Sequence, residues 1–399
     1  MTPRSLVPVT AGPGLDDALA LALDRALDGT GPALLLLPDG PEGGRLLAAL
    51  SPAVADGVPA GTAVVVATSG STGEPRGVRI GRAELEWSAA ATHAHLGGPG
   101  QWLQAVSPAR IAGLQVLVRS RLAGIAPVAL RGAFTPAAFA AAAARLEPGV
   151  RRYTALVPTQ LHRLLDASVP LDAFDAILLG GAAIPTALLL RARAAGTRVV
   201  RTYGMTETCG GCVYDGRPLP GVRVEVVDPA RQDTPFAGSV TSGQGLIRLA
   251  GPMLARGYLG PEQGGFRAGW FLTSDLGRLD GAATGNGTLN VVGRADDVIV
   301  TGGSNVAAQS VESALAEHPA VAAAAVAGRP DEEWGEIVVA VVVPAAGAAV
   351  DARELRTHVG ELLGWPYAPR DVLLADALPL LASGKLDRGA LRALVRTPG

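Results

Sequence analysis

Short, unbroken apolar runs alternate with longer Ala-, Leu- and Arg-rich stretches through most of the chain. The short runs predict buried strands and the longer stretches predict helices, the pattern of an α/β protein. Pro32 and Pro38 bracket one strand, and Ala63 to Ala67 forms another that enters a Ser/Thr/Gly loop. A helix is predicted over Ala83 to His95, and the alanine run at 137–144 also reads as helix, because alanine is the best helix former. Asp175 to Leu179 runs as a strand into Gly180-Gly181, with a helix after Pro185 and a strand at Arg198 to Arg201. From about Val222 the runs shorten and alternate between Gly-rich turns, predicting an antiparallel, barrel-like section.

After Gly293 the pattern resets. Helices are predicted at Ala307 to Glu317, Ala352 to Leu363 and the C-terminus, with strands at Val321 to Ala327, Ile337 to Val343 and Val372 to Ala375. The expectation is a large N-terminal α/β domain of several subdomains, residues 1–294, with parallel sheets and a small barrel-like section. A small α+β domain, residues 295–399, follows it.

Composition narrows the function. Hydrophobic residues at 48% and charged residues at 18% suit a packed core and exclude a disordered chain. A net charge of −2 argues against a basic nucleic-acid-binding surface. No apolar run reaches the ~18 residues of a membrane span, and the first residues lack the apolar core of a signal peptide. Cys209 and Cys212 cannot make a disulfide framework, and one CxxC without a second pair is weak evidence for metal or redox chemistry. The expectation is a soluble cytoplasmic protein that binds neither nucleic acid nor membrane; a homodimer is allowed. Splitting the basic count is more informative: 33 arginines stand beside one lysine, Lys385. Chance survival is one explanation. The other is a need for a compact, rotatable ammonium that guanidinium cannot replace.

Four segments carry candidate chemistry. Thr68-Ser69-Gly70-Ser71-Thr72-Gly73, continuing to Arg76-Gly77, follows a buried strand. Its glycines, hydroxyls and cation could cradle phosphate, although a polar turn has the same composition and no Walker lysine closes the loop. Tyr203-Gly204-Met205-Thr206-Glu207 offers an aromatic face, a hydroxyl and a carboxylate suited to Mg²⁺. Asp275 is a plausible acceptor for ribose hydroxyls, ahead of Gly293-Arg294-Ala295-Asp296-Asp297. Finally, Ser383-Gly384-Lys385 places the lysine after a glycine.

In this order and spacing the segments resemble the adenylate-forming superfamily of acyl-CoA synthetases, adenylation domains and luciferases, over roughly residues 63–396. The resemblance implies a mobile C-terminal domain and the cofactors ATP, Mg²⁺ and coenzyme A. It implies that residues 68–77 handle the ATP phosphates and that Gly180, Gly181 and Ala182 line the adenine pocket. Tyr203 with Gly204 would pack on adenine, Thr206 would touch phosphate, and Glu207 would hold the metal. Asp275 and Arg294 would contact ribose, Asp296 would be the hinge, and Gly302-Gly303 would lie beside the pantetheine tunnel. Lys385 would bridge the reacting carboxylate and the α-phosphate. Physically, bringing two anions together requires a cation that follows the developing charge.

The short N-terminal region and the stretches at 113–124, 157–166 and 178–185 look like the compact o-succinylbenzoate–CoA ligases of menaquinone synthesis. Other aryl- or acyl-CoA ligases, an enzyme loading a carrier protein and a non-catalytic nucleotide-binding homologue are the alternatives. Arg110 or Arg119 would then meet the substrate's second carboxylate, and Thr159 is a further candidate substrate contact; surface or structural arginine is the competing reading. Arg76 replaces the usual loop lysine and Ser274 the usual glycine before the ribose aspartate. His162 and His318 fall in amphipathic helical patterns and read as solvated or core-edge residues, and Trp334 and Trp365 as packing residues.

Overall fold

The computed structural model describes residues 3–12, 17–68, 75–130, 132–228, 243–260, 264–281, 287–380 and 386–396. Its first sheet joins β1 (Leu6–Thr10), β2 (Ala33–Leu37), β3 (Val64–Thr68) and β4 (Arg76–Ile80) in that order. The first three strands are parallel and β4 returns antiparallel to β3. Every residue of β2 is buried, as expected for a run of leucines covered on both faces. Pro8 is tolerated because β1 is an edge strand. β4 was not anticipated: a strand at Arg76–Ile80 precedes the expected helix.

The second sheet holds β5 (Gln101–Gln104), β6 (Val128–Ala129), β7 (Arg152–Leu156), β8 (Ala176–Leu179), β9 (Val199–Met205), β10 (Gly210–Tyr214) and β11 (Arg217–Pro218). The order β9-β8-β7-β5-β6 is parallel throughout, and β10 and β11 extend it antiparallel beyond β9. Ten helices accompany the strands among the described residues: α1 (Asp17–Asp28), α2 (Pro41–Ala55), α3 (Arg82–Leu96), α4 (Ile111–Ala123), α5 (Pro136–Ala143), α6 (Pro158–Asp166), α7 (Thr186–Ala194), α8 (Ala308–Leu315), α9 (Ala352–Leu363) and α10 (Arg388–Arg396). The alanine run is indeed helix, capped by Thr135, whose hydroxyl accepts from the Ala138 amide at 3.1 Å.

The expected barrel-like section is a five-stranded antiparallel sheet of β12 (Arg223–Val227), β13 (Gly245–Ala250), β14 (Phe266–Arg267), β15 (Trp270–Asp280) and β16 (Thr288–Arg294). The C-terminal sheet contains β17 (Val298–Thr301), β18 (Ser304–Ala307), β19 (Val321–Asp331), β20 (Gly335–Pro344) and β21 (Asp371–Leu374). Thr301 pairs with Ser304, so Gly302 and Gly303 form a two-residue hairpin turn, both with positive φ (53° and 78°). A Cβ on Gly302 would approach the Trp334 ring to 2.7 Å, so this turn requires glycine twice over.

Two readings are corrected and one holds. Trp365 is 61% exposed, lying over Gly360 at the end of α9 instead of filling a core. His318 lies beyond the end of α8 and is buried, its ring edge-on to His358 at 5.1 Å. Trp334 is the packing residue expected: it lies against the apolar cluster of β19, β20 and α10, with the Arg370 guanidinium 3.6 Å from its ring centroid.

Candidate active site

The parallel strands β5, β7, β8 and β9 end on one edge of the second sheet, and candidate residues follow each of them. Such an edge is where open α/β sheets bind ligands. Arg110 caps α4 after β5, and Thr159 is exposed on the first turn of α6 after β7. Gly180, Gly181 and Ala182 follow β8. A Cβ on Gly180 would collide with Thr202 Oγ1, so glycine is what allows β8 and β9 to end side by side.

β9 carries Tyr203 and Gly204 and turns at Thr206–Thr208 into a single 3₁₀ turn. Thr208 fixes that turn: its hydroxyl accepts from the Met205 amide at 2.9 Å and donates to the Gly210 carbonyl at 2.8 Å. Thr206 is buried, whereas Glu207 is only partly so. Tyr203 donates its hydroxyl to Asp275 Oδ2 at 2.9 Å. Burial, then the Asp275 carboxylate, pushes the Tyr203 phenol well above its ordinary pKa, so it remains a donor.

Asp275 on β15 stands opposite Arg294 on β16. Arg294 donates to Ser274 Oγ at 2.7 Å and to both carboxylate oxygens of Asp296, at 3.0 and 2.9 Å. Ser274, the departure from the usual glycine, therefore has a partner. Burial opposes the charged guanidinium of Arg294, but hydrogen bonding and charge from Asp296, with Asp275 and Asp297 behind it, raise its pKa.

Glu207 is held twice. Its carbonyl accepts from the Ala255 amide at 2.8 Å, and its Oε1 accepts from the Tyr258 hydroxyl at 2.8 Å. Tyr258 had no place in the sequence reading. The Arg76 guanidinium lies 5.4 Å from the Tyr258 ring centroid, bringing the exit of the phosphate-loop segment beside Glu207. Thr68 and Arg76 face each other across β3 and β4, with Gly77 next in the ladder. Ser69, Gly70, Ser71, Thr72 and Gly73 lie outside the described residues, as does Lys385.

A Mg²⁺ fits this donor set. The ion commonly takes one or two carboxylates and draws its other ligands from substrate phosphates and water. Glu207 supplies one such carboxylate, and among the described residues no cluster of three or more His, Cys, Asp or Glu side chains forms a metal cage.

Two models of known families match the chain: the AMP-binding enzyme model over residues 23–259 and the AMP-binding enzyme C-terminal domain over residues 310–385. The chain belongs to the AMP-binding enzyme family. Within that family it is 45% identical over 378 residues to the "Probable 2-succinylbenzoate–CoA ligase" of Mycobacterium tuberculosis, covering 93% of each chain. Its fold matches o-succinylbenzoate CoA synthetase from Bacillus subtilis in complex with an acyl-adenylate intermediate. There the TM-score is 0.79 and the identity 26%, over 100% of this chain and 89% of that one. The same Bacillus enzyme in complex with ATP and magnesium ion gives a TM-score of 0.78 at 26% identity, over 98% and 90% of the chains.

In this AMP-binding enzyme the two arginines expected at the substrate are otherwise engaged. Arg119 is 3% exposed, inside the fold, with its guanidinium 4.8 Å from the Trp102 ring and donating to Thr92 Oγ1 at 3.3 Å. It is an interior cation. Arg110 pairs with Glu42 of α2 at 2.6 Å, so its charge is already met by a carboxylate of the protein. Neither partner could be read from local sequence. His162 is exposed and pairs with Asp166 at 3.1 Å, and Cys209 and Cys212 are buried free thiols raised in pKa by that burial.

Proposed function

We propose that this protein is an ATP-dependent carboxylate–CoA ligase that converts 2-succinylbenzoate, ATP and coenzyme A to 2-succinylbenzoyl-CoA, AMP and diphosphate in menaquinone synthesis. The observation that carries the chemistry is that the end of β9 brings Tyr203 to Asp275 and, through Tyr258, Glu207 beside Arg76. The acyl group follows the Mycobacterium relative.

On this reading Tyr203 and Gly180 to Ala182 receive adenine, while Asp275 and Arg294 receive ribose. Asp275 keeps an orientation fixed by the Tyr203 hydroxyl. Thr68, the loop residues 69–73, Arg76 and Gly77 hold the β- and γ-phosphates, and Thr206 reaches the α-phosphate. Glu207 holds Mg²⁺, which supplies charge neutralisation on the phosphates when bound. A carboxylate oxygen of the acid attacks the α-phosphorus, forming the acyl–phosphate bond as the bond to diphosphate breaks. Lys385 neutralises both anions as charge shifts. The CoA thiolate then attacks the acyl carbon and AMP departs.

We assign residues 1–294 to the nucleotide-binding domain and residues 295–399 to the domain that carries Lys385. Asp296 is the hinge and Gly302-Gly303 border the thiol's path. No helix among the described residues is long and apolar enough to cross a membrane. The setting proposed is the cytoplasm, with a homodimer as the proposed assembly.

A carboxylic-acid panel assayed for AMP release with CoA tests the reading. 2-Succinylbenzoate should give the highest kcat/KM, and preference for another aryl acid overturns the acyl assignment. Replacing CoA by a phosphopantetheinyl carrier protein should abolish turnover, and transfer to that carrier overturns the acceptor.

A further inference from the structure

The segment from Ala255 to Leu259 ties two distant parts of the candidate site together. On one side it pairs with β4: the Arg256 amide donates to the Arg79 carbonyl at 2.8 Å, the Arg79 amide to the Gly257 carbonyl at 2.9 Å, and the Leu259 amide to the Gly77 carbonyl at 2.6 Å. The Arg79 side chain adds donors to the Tyr258 carbonyl at 2.8 Å and the Arg256 carbonyl at 2.9 Å. On the other side the Ala255 amide and the Tyr258 hydroxyl hold the main chain and carboxylate of Glu207. Tyr258 is 6% exposed, and its ring packs edge-on to Phe266 at 5.4 Å. A phenol buried this far needs a partner for its hydroxyl, and the carboxylate makes a charge-assisted one.

We infer that Tyr258 is a positioning residue that sets the Glu207 carboxylate for the metal–nucleotide complex and keeps it in register with the phosphate-loop strand. The inference rests on the assignment of Glu207 as the metal carboxylate. A glutamate on a single 3₁₀ turn would otherwise sample several rotamers. One donor on Oε1 selects a rotamer and leaves Oε2, which no described residue engages, for a cation.

The test uses the full chain. Tyr258→Phe removes the hydroxyl and keeps the ring. Binding of ATP with and without Mg²⁺ is measured by calorimetry, and Mn²⁺ binding in the presence of ATP by electron paramagnetic resonance. The expected result is about tenfold weaker binding of MgATP and of Mn²⁺, the effect of losing a hydrogen bond to a charged group. Metal-free ATP binding should stay unchanged, as should the melting temperature. Phe266→Leu, which disturbs the packing of the same ring and spares the hydroxyl, should lower the melting temperature and leave the metal dependence alone. Equal metal defects in the two variants, or none in Tyr258→Phe, overturn the role of the hydroxyl. Glu207→Gln separates the two levels. If it binds Mn²⁺ and MgATP as the wild type does, the assignment of Glu207 fails and this inference falls with it. If it is impaired and Tyr258→Phe is not, only Tyr258 is removed.

Discussion

The phenol of Tyr203 and the carboxylate of Asp275 meet at 2.9 Å although 72 residues separate them in sequence. The bond joins the last parallel strand of one sheet to an antiparallel strand of another, so the proposed adenine and ribose contacts are fixed to each other before ATP arrives. Asp275→Ala should raise the KM for ATP about tenfold with little change in kcat, because ribose is held equally in ground and transition states. Tyr203→Phe should give a smaller rise in the same direction. Steady-state diphosphate exchange measures both, and a fall in kcat at constant KM contradicts the assignment.

Lys385 should behave differently. Its proposed task arises only as the α-phosphate and carboxylate come together, so Lys385→Ala should cut ATP–diphosphate exchange by roughly 10²–10³-fold while calorimetric ATP affinity is largely kept. Lys385→Arg should remain strongly impaired, since a planar guanidinium does not reproduce a compact ammonium. This chain already uses arginine at its other 33 basic positions. Wild-type exchange in either variant rejects the mechanism.

The elements that the sequence revealed best were those whose pattern is set by local burial. The leucines of β2 are covered on both faces and leave no ambiguity, and α9 matches its expected span, Ala352–Leu363. β4 was hidden because Arg76-Gly-Val-Arg-Ile mixes charge and glycine directly after a loop. β9 runs on to Met205 because its motif residues are also strand residues. The candidate site was legible wherever a motif is contiguous, as in Tyr203 to Glu207. Tyr258 and Glu42 were not, because each acts through a partner 51 or 68 residues away.

Arg110 supplies a contrast. Its ion pair with Glu42 at 2.6 Å joins α2 to the start of α4, with both side chains partly exposed. Arg110→Ala should therefore leave the KM for 2-succinylbenzoate unchanged and cost at most about 1 kcal/mol of stability. Glu42→Ala should cost about as much, and the double variant less than their sum. A tenfold rise in KM for Arg110→Ala alone would return this residue to the substrate pocket.

Stability should fall on the acid side through His93. This side chain lies on the buried face of α3, its Nε2 accepting from the Trp102 indole N–H at 3.3 Å, which requires a neutral ring. Burial, and secondarily the charge of Arg119, lowers its pKa from 6.5 to about 4. Between those values the unfolded chain binds a proton that the folded chain refuses, so acidification favours unfolding. The contribution is complete above pH 6.5 and is lost as pH falls toward 4, by up to about 1.4 kcal/mol per pH unit. His93→Gln removes the titrating group, and other ionisable residues act alike in both proteins. Urea unfolding at a pH of about 7 and of about 5 should therefore show a smaller loss in His93→Gln than in the wild type. Equal losses would mean that His93 is protonated in the folded protein.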